Sequence, residues 1–262
     1  MGAWRDLLER GAGIILRRES NLKTDILRES ADNTSLTEEE KRDIKNLLVA
    51  LHDFPYWHRN ILLLIYPSDY IGDKVELSED RKTYLELFVE RGLLPENKDE
   101  WDKDLVDEIQ AIRVLGEYKH NDGTIILYIN NIKDCASAQN VPGINGKPYL
   151  SVTRYVYLHE LMHAFFARME NEGYEYNREK EEGFAEFGAL LLLDELVNTN
   201  PDGHAIPELN HASKEELEWA ISHVEKKIGA LECYSKGADL FKQFGKDKEL
   251  SKKMLEAYPK LF

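Results

Sequence analysis

The sequence predicts an α+β protein, mostly helical, with a small antiparallel sheet and an N-terminal helical region. Three observations carry that expectation. Apolar residues recur at helical spacing through most of the chain. Strand formers concentrate in one place, Glu117–His120 and Thr124–Asn130, on either side of Asn121-Asp122-Gly123, which predicts a hairpin. Two segments, about 151–169 and 180–197, are apolar nearly all round, as helices buried on every side must be.

Taken in chain order, residues 3–18 and 22–29 read as helices of mixed charge. Thr37 followed by Glu40 is a capping box that opens a helix through Leu51, and Pro55 bars its continuation. Ser78 is placed to cap a helix running to Arg91, with Gly92 as its stop. A helix over about 100–114 follows, and then the hairpin. Pro142, Gly143, Gly146 and Pro148 make 131–149 an irregular loop. The two apolar helices are separated by a polar loop, 170–179. Pro201, Gly203 and Pro207 mark a second long loop, and shorter helices near 213–231, 235–244 and 248–257 end the chain.

With 262 residues, 42% hydrophobic and 10% aromatic, the chain has ample material for a core. Thirty-four basic against 49 acidic residues give a net charge of −15, which opposes a phosphate backbone and argues against nucleic-acid binding. Cys135 and Cys233 are the only cysteines, too few for a disulfide scaffold or a four-cysteine zinc module. The longest apolar runs fall far short of the roughly 18 residues of a membrane span, and no signal-peptide core is visible, so the expectation is a cytoplasmic protein without a membrane partner.

Within the first apolar helix stands His159-Glu160-Leu161-Met162-His163. Four residues at 3.6 per turn place both imidazoles on one side of the helix, where their nitrogens can converge on a metal ion. Glu160 lies beside that side, able to reach a water at the ion without being a ligand. A random chain of this composition produces the pattern with a probability of roughly 0.03, so the motif needs a third ligand to carry weight. Glu182 supplies one. It opens the second apolar helix in Glu181-Glu182-Gly183-Phe184-Ala185-Glu186-Phe187, and the 18 intervening residues suffice to end one helix and return another beside it. Glu186, one turn further on, can accept the second N–H of a ligand histidine. Glu181 is the rival for either role, pointing about 100° away.

H-E-x-x-H, eighteen residues, then Glu within E-G-F-A-E-F resembles the gluzincin zinc metallopeptidases, especially the M1 aminopeptidase-like and peptidase-MA-like groups. The resemblance covers about residues 115–245. It implies a zincin-like catalytic domain over 115–262, with residues 1–114 as a helical region packed on it. It implies Zn²⁺ held by His159, His163 and Glu182, with Glu160 as general base. Tyr234-Ser235-Lys236-Gly237-Ala238 is similar to the M1 segment whose tyrosine stabilises the oxyanion, which assigns that role to Tyr234. No segment resembles the one with which M1 enzymes grip a free amino terminus, so the implied activity is that of an endopeptidase on a peptide or protein substrate. A substrate strand would lie beside 124–130, with loops 131–149 and 198–212 setting selectivity. The alternative is a non-catalytic protein of gluzincin-like fold that binds a partner and uses zinc structurally. The metzincin pattern is excluded, because Phe166 and Met169 stand where glycine and histidine would be required.

Overall fold

A computed structural model of the chain describes residues 36–57, 74–92, 112–121, 123–170, 178–198, 211–226 and 232–247, with isolated positions between 94 and 110 and at 209, 250, 251 and 253. Among these residues the chain forms seven helices and one three-stranded mixed sheet. In order they are α1 (Glu38–Trp57), β1 (Lys74–Ser78), α2 (Tyr84–Glu90), β2 (Gly116–Lys119), β3 (Thr124–Tyr128), α3 (Ile129–Ala138), α4 (Pro148–Glu170), α5 (Arg178–Asn198), α6 (Lys214–Lys226) and α7 (Glu232–Phe244). The helices expected at 3–18 and 22–29, and most of those at 100–114 and 248–257, fall outside the described residues.

The Thr37 capping box forms as expected. The Glu40 N–H donates to Thr37 Oγ1 (3.2 Å), and the Thr37 N–H donates to Glu40 Oε2 (2.8 Å). The helix does not stop at Leu51, however, and α1 continues through Pro55 to Trp57. A proline removes one donor and crowds one carbonyl, a local cost that a helix anchored by its buried Ile44, Leu47, Leu48 and Leu51 can absorb.

Ser78 does not cap a helix. It ends β1, and its hydroxyl accepts from the Asp80 N–H (3.2 Å). The cap belongs to Thr83, whose Oγ1 accepts from the Glu86 N–H (3.3 Å) while Glu86 Oε2 accepts from the Thr83 N–H (2.6 Å). Gly92 closes that helix with φ +64°, the left-handed conformation that glycine adopts without strain.

The hairpin is present, turning at Gly123 (φ +68°), and β2 pairs antiparallel with β3 from Gly116↔Leu127 to Lys119↔Thr124. The sheet as a whole is mixed rather than antiparallel, because β1 pairs parallel with the other side of β3, Lys74↔Thr124 to Ser78↔Tyr128. The stretch before residue 115 is therefore not all helical. Its strand shares a sheet with the hairpin. The order β1-β3-β2 also corrects the expected substrate position, since β3 spends its backbone hydrogen bonds on both neighbours and offers no edge.

Every residue of β3 is buried, and its alternation divides two cores. Ile125 and Leu127 face the main core with α3, α4 and α5, whereas Ile126 and Tyr128 pack with Tyr84, Leu87 and Phe88 of α2. A strand covered on both faces reads as a continuous apolar run, as this one does. The strand ends two residues early. Ile129 and Asn130 open α3, so 131–138 is helix rather than loop. Side-chain amides hold that junction: Asn130 Nδ2 donates to the Glu79 carbonyl (2.6 Å) and Asn131 Nδ2 to those of Lys82 and Val114 (both 2.8 Å). Such long-range bonds override the strand propensity of Ile129.

The two apolar helices are α4 and α5, and residues 150–164 of α4 are all buried. They pack closely because Gly188 leaves room for Met162, whose Cε would lie 2.3 Å from a Cβ at that position. Arg154, fully buried on α4, donates to the carbonyls of Leu209 and His211 and pairs with Glu216 (3.1 Å), tying the start of α6 to the core. Among the described residues no helix is long and apolar enough to cross a membrane.

Candidate metal centre

Helical periodicity brings His159 and His163 to one side of α4, and their Nε2 atoms lie 3.0 Å apart. Glu182, in the first turns of α5, points its Oε2 at both, 3.5 Å from His159 Nε2 and 3.4 Å from His163 Nε2. All three residues are buried, and together they form a cluster able to hold a metal ion. A tetrahedral site with bonds of about 2.0–2.1 Å separates its donors by about 3.3 Å, so the observed triangle fits one ion.

Carboxylates also stand behind both rings. His163 Nδ1 is 2.8 Å from Glu181 Oε1, and His159 Nδ1 is 3.6 Å from Glu186 Oε1. Glu186 thus lies on the Nδ1 side of His159 but beyond hydrogen-bond distance of that atom, and Glu181, the rival in the sequence, is the one within hydrogen-bond distance of a ring, at His163. Two successive glutamates straddle one ring because residues 100° apart on α5 reach its opposite nitrogens. A ring that gives its Nδ1 proton to a carboxylate, as His163 can to Glu181, is able to present Nε2 as a lone pair to a metal ion.

Charge points the same way. Glu160, Glu181, Glu182 and Glu186 are all buried, and buried carboxylates are costly unless positive charge compensates them. In the metal-free protein the imidazoles supply that charge. Burial disfavours the charged form of His159, but the nearby carboxylates of Glu186 and Glu182 outweigh it and lift the pKa to about 9. Burial likewise opposes the charge of His163, and Glu182 and Glu181 raise its pKa well above the usual range. Burial raises the Glu181 pKa, but the His163 charge and the contacts with His120 and His163 outweigh it and hold it down to about 2. Tyr155 donates to Glu186 Oε2 (2.5 Å). Burial first, and then the Glu186 charge, keep that hydroxyl protonated.

Glu160 stands apart from the three residues of that cluster. Burial raises its pKa, against the opposing charges of His163 and His159. Its carboxylate lies against β2 at Gly116. A Cβ there would stand 2.8 Å from Glu160 Oε1 and Cγ and 2.6 Å from Val156 Cγ1. Gly116 is a site residue that sequence reasoning missed, and its place at the start of a strand beside the motif helix emerges only from the packing.

The cleft over the cluster is also lined by Arg91, Glu117, Tyr118 and His120, all from α2 and the hairpin. His120 Nε2 is 3.1 Å from Glu181 Oε1, which extends the chain of polar contacts from His163 to the hairpin turn. Tyr234 lies on α7, one turn before Gly237, and Gly237 packs against Gly183 and Glu186 of α5. The Tyr234 side chain is outside the described residues. His223 is a packed histidine, stacked on Trp219 with its Nδ1 2.9 Å from Gln139 Oε1.

Comparison with protein-family models, curated proteins and solved structures finds no match for this chain.

Proposed function

We propose that the chain is a zinc metallopeptidase of zincin-like fold that cleaves internal peptide bonds. The observation that carries this reading is the convergence of His159 Nε2, His163 Nε2 and Glu182 Oε2 within 3.5 Å of one another, with Glu160 buried beside them and outside the ligand set. A purely structural site is closed by four protein ligands and has no use for a base.

His159, His163 and Glu182 would hold the ion, with Glu181 and Glu186 setting the tautomers of the two rings. When bound, zinc supplies Lewis acidity and lowers the pKa of water in the site toward about 7. Glu160 then accepts a proton from the attacking water and returns it to the departing amide nitrogen. Tyr234 is assigned to the developing oxyanion by the motif it belongs to. An extended peptide would pair along β2, the outer hairpin strand among the described residues and one that lines the cleft, since β3 is occupied on both sides.

The test combines metal analysis with turnover. Purified protein should bind about one zinc per chain, and Glu160→Gln should keep the zinc while losing about 10²–10⁴ in kcat. Equal cleavage by the two proteins would end the peptidase reading.

A further inference from the structure

Among the described residues lining the cleft, Arg91 is the one guanidinium or ammonium, set among the carboxylates of Glu117, Glu160, Glu181 and Glu182. It is the C-cap residue of α2, and its side chain keeps 30% of its surface open. Burial would weaken its charge, but Glu117, Glu182 and Glu160 more than compensate, and the guanidinium shares the cleft with His159, His163 and Glu182.

Its side-chain bonding among the described residues is sparse. Nη2 reaches Glu117 Oε1 at 3.4 Å, a long contact. Glu117 does not depend on it, because Lys82 Nζ and the Tyr128 hydroxyl both donate to Glu117 Oε2 at 2.9 Å. The other N–H groups of Arg91 have no described partner, yet a guanidinium presents five donors in a rigid fork that matches a carboxylate edge to edge. Glu117 therefore holds the fork in place without filling it.

We propose that Arg91 is the specificity-determining residue of this site and receives a carboxylate of the peptide beside the bond to be cut, which rests on the peptidase reading above. An Asp or Glu side chain presents this pair of oxygens beside an internal bond; a free C-terminus presents the same pair, and a preference for it would make the bond cut the last of the chain. The substrate class is accordingly a peptide with a negative charge flanking the scissile bond.

The test measures binding rather than cleavage. Zinc-loaded Glu160→Gln protein is titrated with two matched pairs of fluorescent peptides. One pair carries an internal Glu or its Gln counterpart, both amidated at the C-terminus; the other is an uncharged sequence ending in a free acid or an amide. We expect the carboxylate member of one pair to bind at least tenfold more tightly, and that pair identifies the source of the charge. Adding Arg91→Gln should bring the ratio close to one, whereas Arg91→Lys, which keeps a cation without the fork, should restore part of it. Equal binding within both pairs, or an unchanged ratio in Arg91→Gln protein with a normal thermal melt, would overturn the assignment. Turnover by the wild-type chain is read separately: a binding preference without cleavage sinks the peptidase reading and leaves Arg91 as a carboxylate receptor.

Discussion

Gly116→Ala is the sharpest probe of how the site is assembled. In an open strand, alanine in place of glycine stabilises by roughly 0.5–1 kcal/mol through the unfolded chain. At Gly116 the added Cβ would sit 2.6 Å from Val156 Cγ1 and 2.8 Å from the Glu160 carboxylate oxygen, about 0.6–0.8 Å inside ordinary contact. Val156 and Glu160 are both buried, so relief requires β2 to shift and the Glu160 side chain to move with it. Overpacking of this kind costs about 1–3 kcal/mol, which reverses the sign expected for an open strand. A displacement approaching 1 Å at a reacting carboxylate lowers the rate by up to about 10²-fold. The variant should therefore melt below wild type, retain its zinc, and lose about 10- to 100-fold in kcat/KM. The three readouts are a thermal melt, metal analysis and steady-state turnover of a cleaved peptide. A more stable Gly116→Ala protein, or wild-type turnover in it, would refute the claim that β2 holds Glu160 in place.

Further expectations concern the supporting residues. Glu181→Gln removes the carboxylate 2.8 Å from His163 Nδ1 and should weaken zinc binding about 10- to 100-fold, measured by competition with a chelator. Glu216→Ala leaves the fully buried Arg154 guanidinium without its carboxylate and removes the acceptor of the Ser213 N–H, so unfolding by denaturant should show a loss of about 3–5 kcal/mol. Burial pushes the Glu117 pKa up, but Lys82, Tyr128 and Arg91 together hold it below the usual carboxylate range. A carboxylate depressed in the folded state stabilises above its unfolded pKa of about 4.3, and that contribution is lost as pH falls through the folded value. Melts of wild type and Glu117→Gln should accordingly differ most near neutral pH and converge toward pH 3; a constant difference would count against the ion pair.

Much of the centre was legible because it is local. The spacing of His159 and His163 is a property of one helix, and the capping box at Thr37 lies within four residues. The near-identical signature at Thr83-Tyr84-Leu85-Glu86 was equally readable, though Ser78 drew the expectation away from it. Glu182 was within reach because α4 and α5 are consecutive and apolar, so their packing side by side follows from the need to bury both.

By itself the sequence determined which residues share a turn: the two imidazoles, Glu160 beside them, and the carboxylates that open the next helix. Only the tertiary structure decided how separate turns meet. It gave Glu181 to His163 and Glu186 to His159, put a parallel strand from the N-terminal stretch against β3, and brought Gly116 and Arg91 to the cleft. The physical reason is one of range. The helical repeat governs neighbours within a few residues, whereas strand partners and helix approaches depend on cores that form between segments far apart in the chain.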